Sequence, residues 1–157
     1  MIEPSVYSNP YLETSVFIAL IKGEVVDGID RGEIAQHILD DAGTGRWPIF
    51  TSTFTIVEVF KKRNRPALTI VEEQRIDAFF KHEYIKLVTL DRYIAEQARR
   101  LAREYNLRPV DAVHLASAIR VKADEFLTWD NDFPHNKTIE GVAIKDPYWF
   151  GQLRIIT

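Results

Sequence analysis

Apolar positions along this chain switch repeatedly between short continuous runs and helical spacing. Tyr11 and Leu12 form a short run that enters Glu13, Thr14 and Ser15, and Val16, Phe17, Ile18, Ala19, Leu20 and Ile21 follow. This predicts a buried strand feeding a helix, with Thr14 or Ser15 as the helix cap. Gly23 and Gly28 punctuate the next turn. Ile34, Ala35, Ile38, Leu39 and Ala42 then recur at helical spacing, predicting an amphipathic helix that ends near residues 43–45. Residues 48–52 read as a strand and 54–62 as a helix carrying Glu58. Pro66 separates that helix from another over 70–81, whose Ile76, Phe79 and Phe80 are expected to face the core.

The second half repeats the alternation. Residues 85–90 are rich in strand formers, and Asp91 opens a helix with Ile94, Ala95, Ala98, Leu101, Ala102 and Tyr105 on one face. Pro109 stands at a favoured helix start, followed by a stripe of Ala112, Val113, Leu115, Ala116 and Ile119. Residues 125–128 and 142–144 read as the last two strands. Strands alternating with helices predict an α/β protein with a parallel sheet covered on both faces. Residues 1–10 are expected to be an irregular lead-in, and 11–157 one domain without internal repeats.

Composition narrows the function classes. At 157 residues, with 46% hydrophobic and 27% charged, the chain can bury a substantial core and is not of disordered type. Cysteine is absent, which removes disulfides and thiolate metal sites. No apolar run approaches the roughly 20 residues that span a bilayer, and no basic-then-apolar leader opens the chain, so a cytoplasmic protein with no membrane partner is expected. The net charge of −3 argues against a uniformly basic nucleic-acid binder. Local clusters matter more: Lys61, Lys62, Arg63 and Arg65 lie just beyond Glu58, and Arg99, Arg100 and Arg103 crowd a second segment. Either cluster is able to hold phosphates, and either also reads as a solvated helix face.

Four acids, Glu13, Glu58, Asp111 and Asp130, stand where strand-like runs give way to helices or where helices begin. In open α/β sheets the ligand crevice lies outside the carboxyl ends of the strands, so acids distant in sequence converge there. Carboxylates without cysteine or paired histidine suit a hard divalent cation, Mg²⁺ or Mn²⁺. Asp111 also begins a helix, whose positive end is expected to favour its ionised form. His114, one turn later, reads as a packed, hydrogen-bonded histidine rather than a ligand. Trp129 reads as packing rather than a base-stacking platform.

The segments Tyr11-Leu12-Glu13-Thr14-Ser15-Val16-Phe17-Ile18, Thr55 to Glu58-Val59, Asp111-Ala112-Val113-His114-Leu115-Ala116 and Thr128-Trp129-Asp130-Asn131-Asp132-Phe133 resemble the four motifs of PIN-domain ribonucleases. Their order and spacing are most like those of the VapC toxins of type II toxin–antitoxin pairs. The resemblance implies a three-layer α/β/α domain whose acids bind one or two Mg²⁺ or Mn²⁺ ions and hydrolyse RNA phosphodiesters. By position, Glu13, Glu58, Asp111 and Asp130 would be the catalytic set, with Glu13, Asp111 and Asp130 on the metal. Thr14, Ser15 and Thr128 would support them, Asp132 would back them or serve as an alternative ligand, and Lys61, Lys62 and Arg63 would hold substrate. It further implies a VapB-like antitoxin that covers the crevice with an inserted basic side chain, and a homodimer. A cation in such a site would neutralise the phosphodiester, position the nucleophile and lower the pKa of its water.

One position departs from the family. Glu13 stands where the first motif usually has Asp, and its extra methylene moves the carboxylate outward by about 1.3 Å. Catalytic geometry tolerates about 0.5 Å. The expectation is that Glu13 still faces the other acids. The alternative is a weakened PIN-like module that binds RNA or protein without efficient cleavage. A phosphoacceptor receiver domain fits poorly, because it needs paired acids after the first strand and Thr14-Ser15 stand there instead.

Overall fold

The period-two pattern of the central strands decides the layering. In β1 (Pro10–Leu12), Tyr11 points to one face of the sheet and Leu12 to the other; both are fully buried. Phe126 and Leu127 of β6 (Glu125–Leu127) divide in the same way. A strand buried on both faces needs helices on both sides. The computed structural model describes residues 9–45, 47–59 and 66–149 and has that arrangement.

In chain order, β1 is followed by α1 (Thr14–Lys22), a small hairpin of β2 (Val25–Val26) and β3 (Ile29–Asp30), α2 (Arg31–Gly43), β4 (Ile49–Ser52) and α3 (Thr53–Glu58). Then come α4 (Ile70–Phe80), β5 (Ile85–Val88), α5 (Arg92–Tyr105), α6 (Pro109–Arg120), β6, β7 (Lys137–Ile139) and β8 (Val142–Lys145). The main sheet has the order β5-β4-β1-β6-β8-β7. All neighbours are parallel except β7, which returns antiparallel to β8. Two cores result. On one face Leu12, Val16, Phe17, Ile38 and Ile49 pack with α1, α2 and α4. On the other, Tyr11, Phe126, Ile94, Leu101 and Leu115 pack with α5 and α6.

The three-layer expectation holds, with two corrections. The sheet is parallel save for its β7 edge, and two pieces of antiparallel pairing, β2 with β3 and β7 with β8, were not foreseen. Both turn on left-handed backbone, at Asp27 and Gly28 and at Glu140 and Gly141. The cap of α1 also differs. Glu13 itself is the N-cap, its side chain accepting from the Ser15 amide, while Thr14 already lies inside the helix. At the other end of α1, Gly23 adopts φ 60° and closes the helix in the left-handed form that glycine takes without strain. Residues 1–8 of the expected lead-in, and Lys61, Lys62, Arg63 and Arg65, lie outside the described residues.

Candidate functional site

The chain runs from β1 outward to β4 and β5, then back across to β6. The carboxyl ends of β1, β4 and β6 therefore flank the point where strand order reverses, the place where open α/β sheets form a crevice. Glu13 follows β1, Glu58 ends the helix after β4, Asp130 follows β6, and Asp111 sits in the first turn of α6.

Glu13 is turned inward and only 5% exposed. One carboxylate oxygen accepts from the Thr128 hydroxyl at 2.6 Å and the other from the Ser15 amide at 3.2 Å. Burial pushes its carboxyl above the ordinary value, against the pull of His114, Thr128 and Ser15. The Thr128 hydroxyl also accepts from the Asp130 amide at 2.9 Å. It thereby ties the end of β1 to the loop after β6. The Ser15 hydroxyl accepts from the Trp129 amide at 3.0 Å and makes a second tie.

Glu58 is held from two other elements. Its Oε1 accepts from the Thr14 hydroxyl at 2.8 Å and from Nε2 of His114. A carboxylate accepts only, so Nε2 carries a proton, and Nδ1 shares a second hydrogen bond with the Tyr11 hydroxyl at 2.7 Å. Burial raises the Glu58 carboxyl, but the His114 hydrogen bond and charge, then Thr14 and Arg108, outweigh it, and the net direction is downward. Glu58 is thus kept ionised. Its apolar neighbours Ile56 and Val57 are exposed, at 43% and 65%, so they are surface rather than core positions.

The third group is organised by a residue the sequence reading passed over. Arg108, immediately before α6, donates from Nε to Asp111 at 2.9 Å. One terminal nitrogen, Nη2, reaches both Asp132 at 2.8 Å and Asp130 at 3.6 Å. One guanidinium therefore draws three carboxylates together. The signal was present in the sequence as an arginine three residues before an acid at a helix start, a spacing that places the two side chains together. Asp111 is 4% exposed, and the net direction of its carboxyl is upward. Burial is the chief cause, with Asp130 and Asp132 adding to it and Arg108 opposing. The helix-end effect expected from sequence does not dominate.

The second basic cluster is differently employed. Arg100 is paired with Glu104 at 3.0 Å and Glu140 at 2.9 Å, whereas Arg99 and Arg103 are exposed. Trp129 is 9% exposed and lies beneath the Arg31 guanidinium, 5.3 Å from its ring centre. It packs against the core.

Among the described residues no group of three or more acids or histidines is placed to hold a metal ion as it stands. The donor chemistry still fits a hard divalent cation. Asp111, Asp130 and Glu13 offer only oxygen, and His114 is committed to Glu58 and Tyr11. What separates Asp111, Asp130 and Asp132 is the guanidinium of Arg108, itself a cation on a side chain 63% exposed.

The PIN domain is matched over residues 11–138. No curated protein sequence matches the chain. Among solved structures, the chain is similar to one from a toxin-antitoxin complex from Klebsiella pneumoniae, with 25% identity and a TM-score of 0.59 over 91% of this chain and 100% of that one. The match runs from Tyr11 in β1 to Thr138 in β7 and takes in all four acids of the crevice, and the chain belongs to the PIN-domain family.

Proposed function

We propose that this protein is a metal-dependent endoribonuclease, using Mg²⁺ or Mn²⁺, and the VapC-like toxin of a toxin–antitoxin pair. What carries the reading is the convergence of Asp111 and Asp130 on one guanidinium that also acts on Glu58, together with the buried Glu13. PIN domains are generally nucleases, and the similar structure from Klebsiella pneumoniae is that of a toxin-antitoxin complex. Asp111, Asp130 and Glu13 would hold the ion, with Asp132 in reserve. A bound divalent cation would supply charge neutralisation of the phosphodiester and acidify an attacking water. Glu58, kept ionised by His114 and Thr14, is the carboxylate available to take up that water's proton. Thr128 and Ser15 fix the two loops against each other, so that the acids on them keep their spacing.

A small antitoxin and a second copy of the chain are the partners this reading carries. Exposed Ile56 and Val57 on α3, Ile70 and Val71 on α4, and an apolar groove of about 500 Å³ beside Ala95, Ala98, Ala102 and Val113 offer surface for them. Incubating the protein with total RNA and Mn²⁺, with Asp111→Asn as control, tests the activity. Mapped cuts present in the wild type and absent in the variant are expected, and equal cleavage by both overturns the assignment.

One observation favours a second reading, a weakened RNA- or protein-binding module. Both carboxylate oxygens of Glu13 are already engaged, one by Thr128 and one by the α1 amide of Ser15. A ligand committed to capping a helix offers less to a cation. Titration with Mn²⁺ by calorimetry separates the two readings, since measurable binding belongs to the enzyme and its absence to the module.

A further inference from the structure

We propose that Arg108 is a resident counter-cation of the crevice, occupying the acid cluster when no divalent ion is bound and competing with that ion for Asp111, Asp130 and Asp132. The inference rests on the nuclease reading of the same acids and concerns what the metal-free protein does with them.

Three aspartates close enough to share one guanidinium repel one another, and without a cation between them the loop after β6 would be driven away from the start of α6. Arg108 supplies that cation. It lies at 2.9 Å from Asp111, 2.8 Å from Asp132 and 3.6 Å from Asp130. The three carboxylates and one guanidinium still leave a formal excess of two negative charges, the charge a divalent ion would cancel. The arrangement is therefore assembled but not satisfied.

Arg108 is also built to leave. It is the N-cap residue of α6, with extended backbone and no side-chain capping bond, so its movement does not unwind the helix. Its side chain is 63% exposed, against 6% for Asp111. The acid is fixed by the fold, and among the described residues the ion pairs of the arginine are with the acids. A guanidinium pairs strongly with carboxylates through its planar fork, yet exposed pairs of this kind are individually weak and screened by salt. An ion that binds two or three of these carboxylates at once has the advantage, and Arg108 turns outward into solvent.

The test is Mn²⁺ binding by calorimetry, with thermal unfolding measured in chelator and in saturating Mn²⁺, for wild type, Arg108→Gln, Arg31→Gln and Asp111→Asn. Arg31 stacks on Trp129 and contacts none of the three aspartates through an ion pair, so its variant controls for the loss of one positive charge. Arg108→Gln is expected to bind Mn²⁺ about fivefold more tightly than wild type, the size of an exposed ion pair lost to the competitor. Arg31→Gln is expected to stay within about twofold of wild type. In chelator the unfolding midpoint of Arg108→Gln falls below that of wild type, and in saturating Mn²⁺ the two converge. Unchanged or weaker affinity in Arg108→Gln, or an equal gain in both arginine variants, overturns the competition while leaving the nuclease reading intact if Asp111→Asn loses binding. If neither wild type nor Arg108→Gln binds Mn²⁺, or if Asp111→Asn binds as wild type does, the reading itself falls and the competition with it.

Discussion

His114, buried in the middle of α6, hydrogen-bonds through Nε2 to the carboxylate of Glu58, 56 residues earlier at the end of α3. Its other ring nitrogen takes the Tyr11 hydroxyl of the central strand. The imidazole is thus a strut between the sheet and a carboxylate at the edge of the crevice. It keeps Glu58 charged and fixes where that charge points.

Replacing the strut should separate folding from activity. In His114→Leu the Glu58 carboxylate loses a charge-stabilising donor and the Tyr11 hydroxyl loses its bond to the ring. RNA cleavage should fall by about 10- to 100-fold, the usual cost of removing a residue that orients an active-site ligand. Stability should fall by about 1–3 kcal/mol for the buried hydrogen bonds lost with the ring. Tyr11→Phe leaves the Glu58 bond in place and should cost far less activity. Cleavage rates and urea midpoints of the two variants check this, and equal activity losses would remove His114 from its role.

The Glu13 position makes an opposite forecast. Glu13→Asp withdraws the carboxylate toward the backbone, where the family's usual residue places it, and Asp is a favoured N-cap, so α1 keeps its cap. Mn²⁺-dependent cleavage is expected to be preserved or raised. A Glu13→Asp protein that folds normally yet loses cleavage would show that the neighbouring loops have adapted to the longer side chain.

Asp111→Asn should abolish cleavage without unfolding the domain. Its partner Arg108 is largely exposed, so the pair contributes no more than about 1 kcal/mol to stability. Thermal unfolding of the metal-free variant should accordingly stay within a few degrees of wild type. Loss of fold instead of loss of activity would make Asp111 a structural acid.

A pH signature is expected away from the crevice. Glu140, in the turn between β7 and β8, accepts from both terminal nitrogens of Arg100 on α5, at 3.0 and 2.9 Å, and Arg100 lowers its carboxyl below the ordinary value. A depressed carboxyl contributes stability that is fully present above its unfolded pKa and is lost as pH falls through its folded one. Wild type should therefore exceed Glu140→Gln in unfolding midpoint at neutral pH, with the difference shrinking on acidification. A gap independent of pH contradicts the ion pair as its source.

The main elements were legible because burial leaves a periodic trace. The double-sided strands at Tyr11 and Phe126, the amphipathic α5 and the proline start of α6 all follow from patterning. Strands β2, β3 and β7 have two or three residues each and are largely exposed, so they bury too little to imprint a period. In the site, the acids were visible as types at suggestive places, but their partners were not. Arg108 shares a face with Asp111 by spacing alone, yet its reach to Asp130 and Asp132 depends on the loop after β6 folding back. The Tyr11, His114 and Glu58 chain joins three elements whose contact no local pattern encodes.

The pairing of β1 with β6 sets a condition on when the site comes into being. Residues 10–12 sit against 125–127, the Glu13 amide donates to the Leu127 carbonyl, and the Glu13 carboxylate is held by Thr128. A growing chain on the ribosome has made α1 to α6 before Leu127 and Thr128 exist. The crevice is thus withheld until synthesis has passed the last motif, and a product cut short ahead of Glu125 carries the first three motifs without a site to put them in.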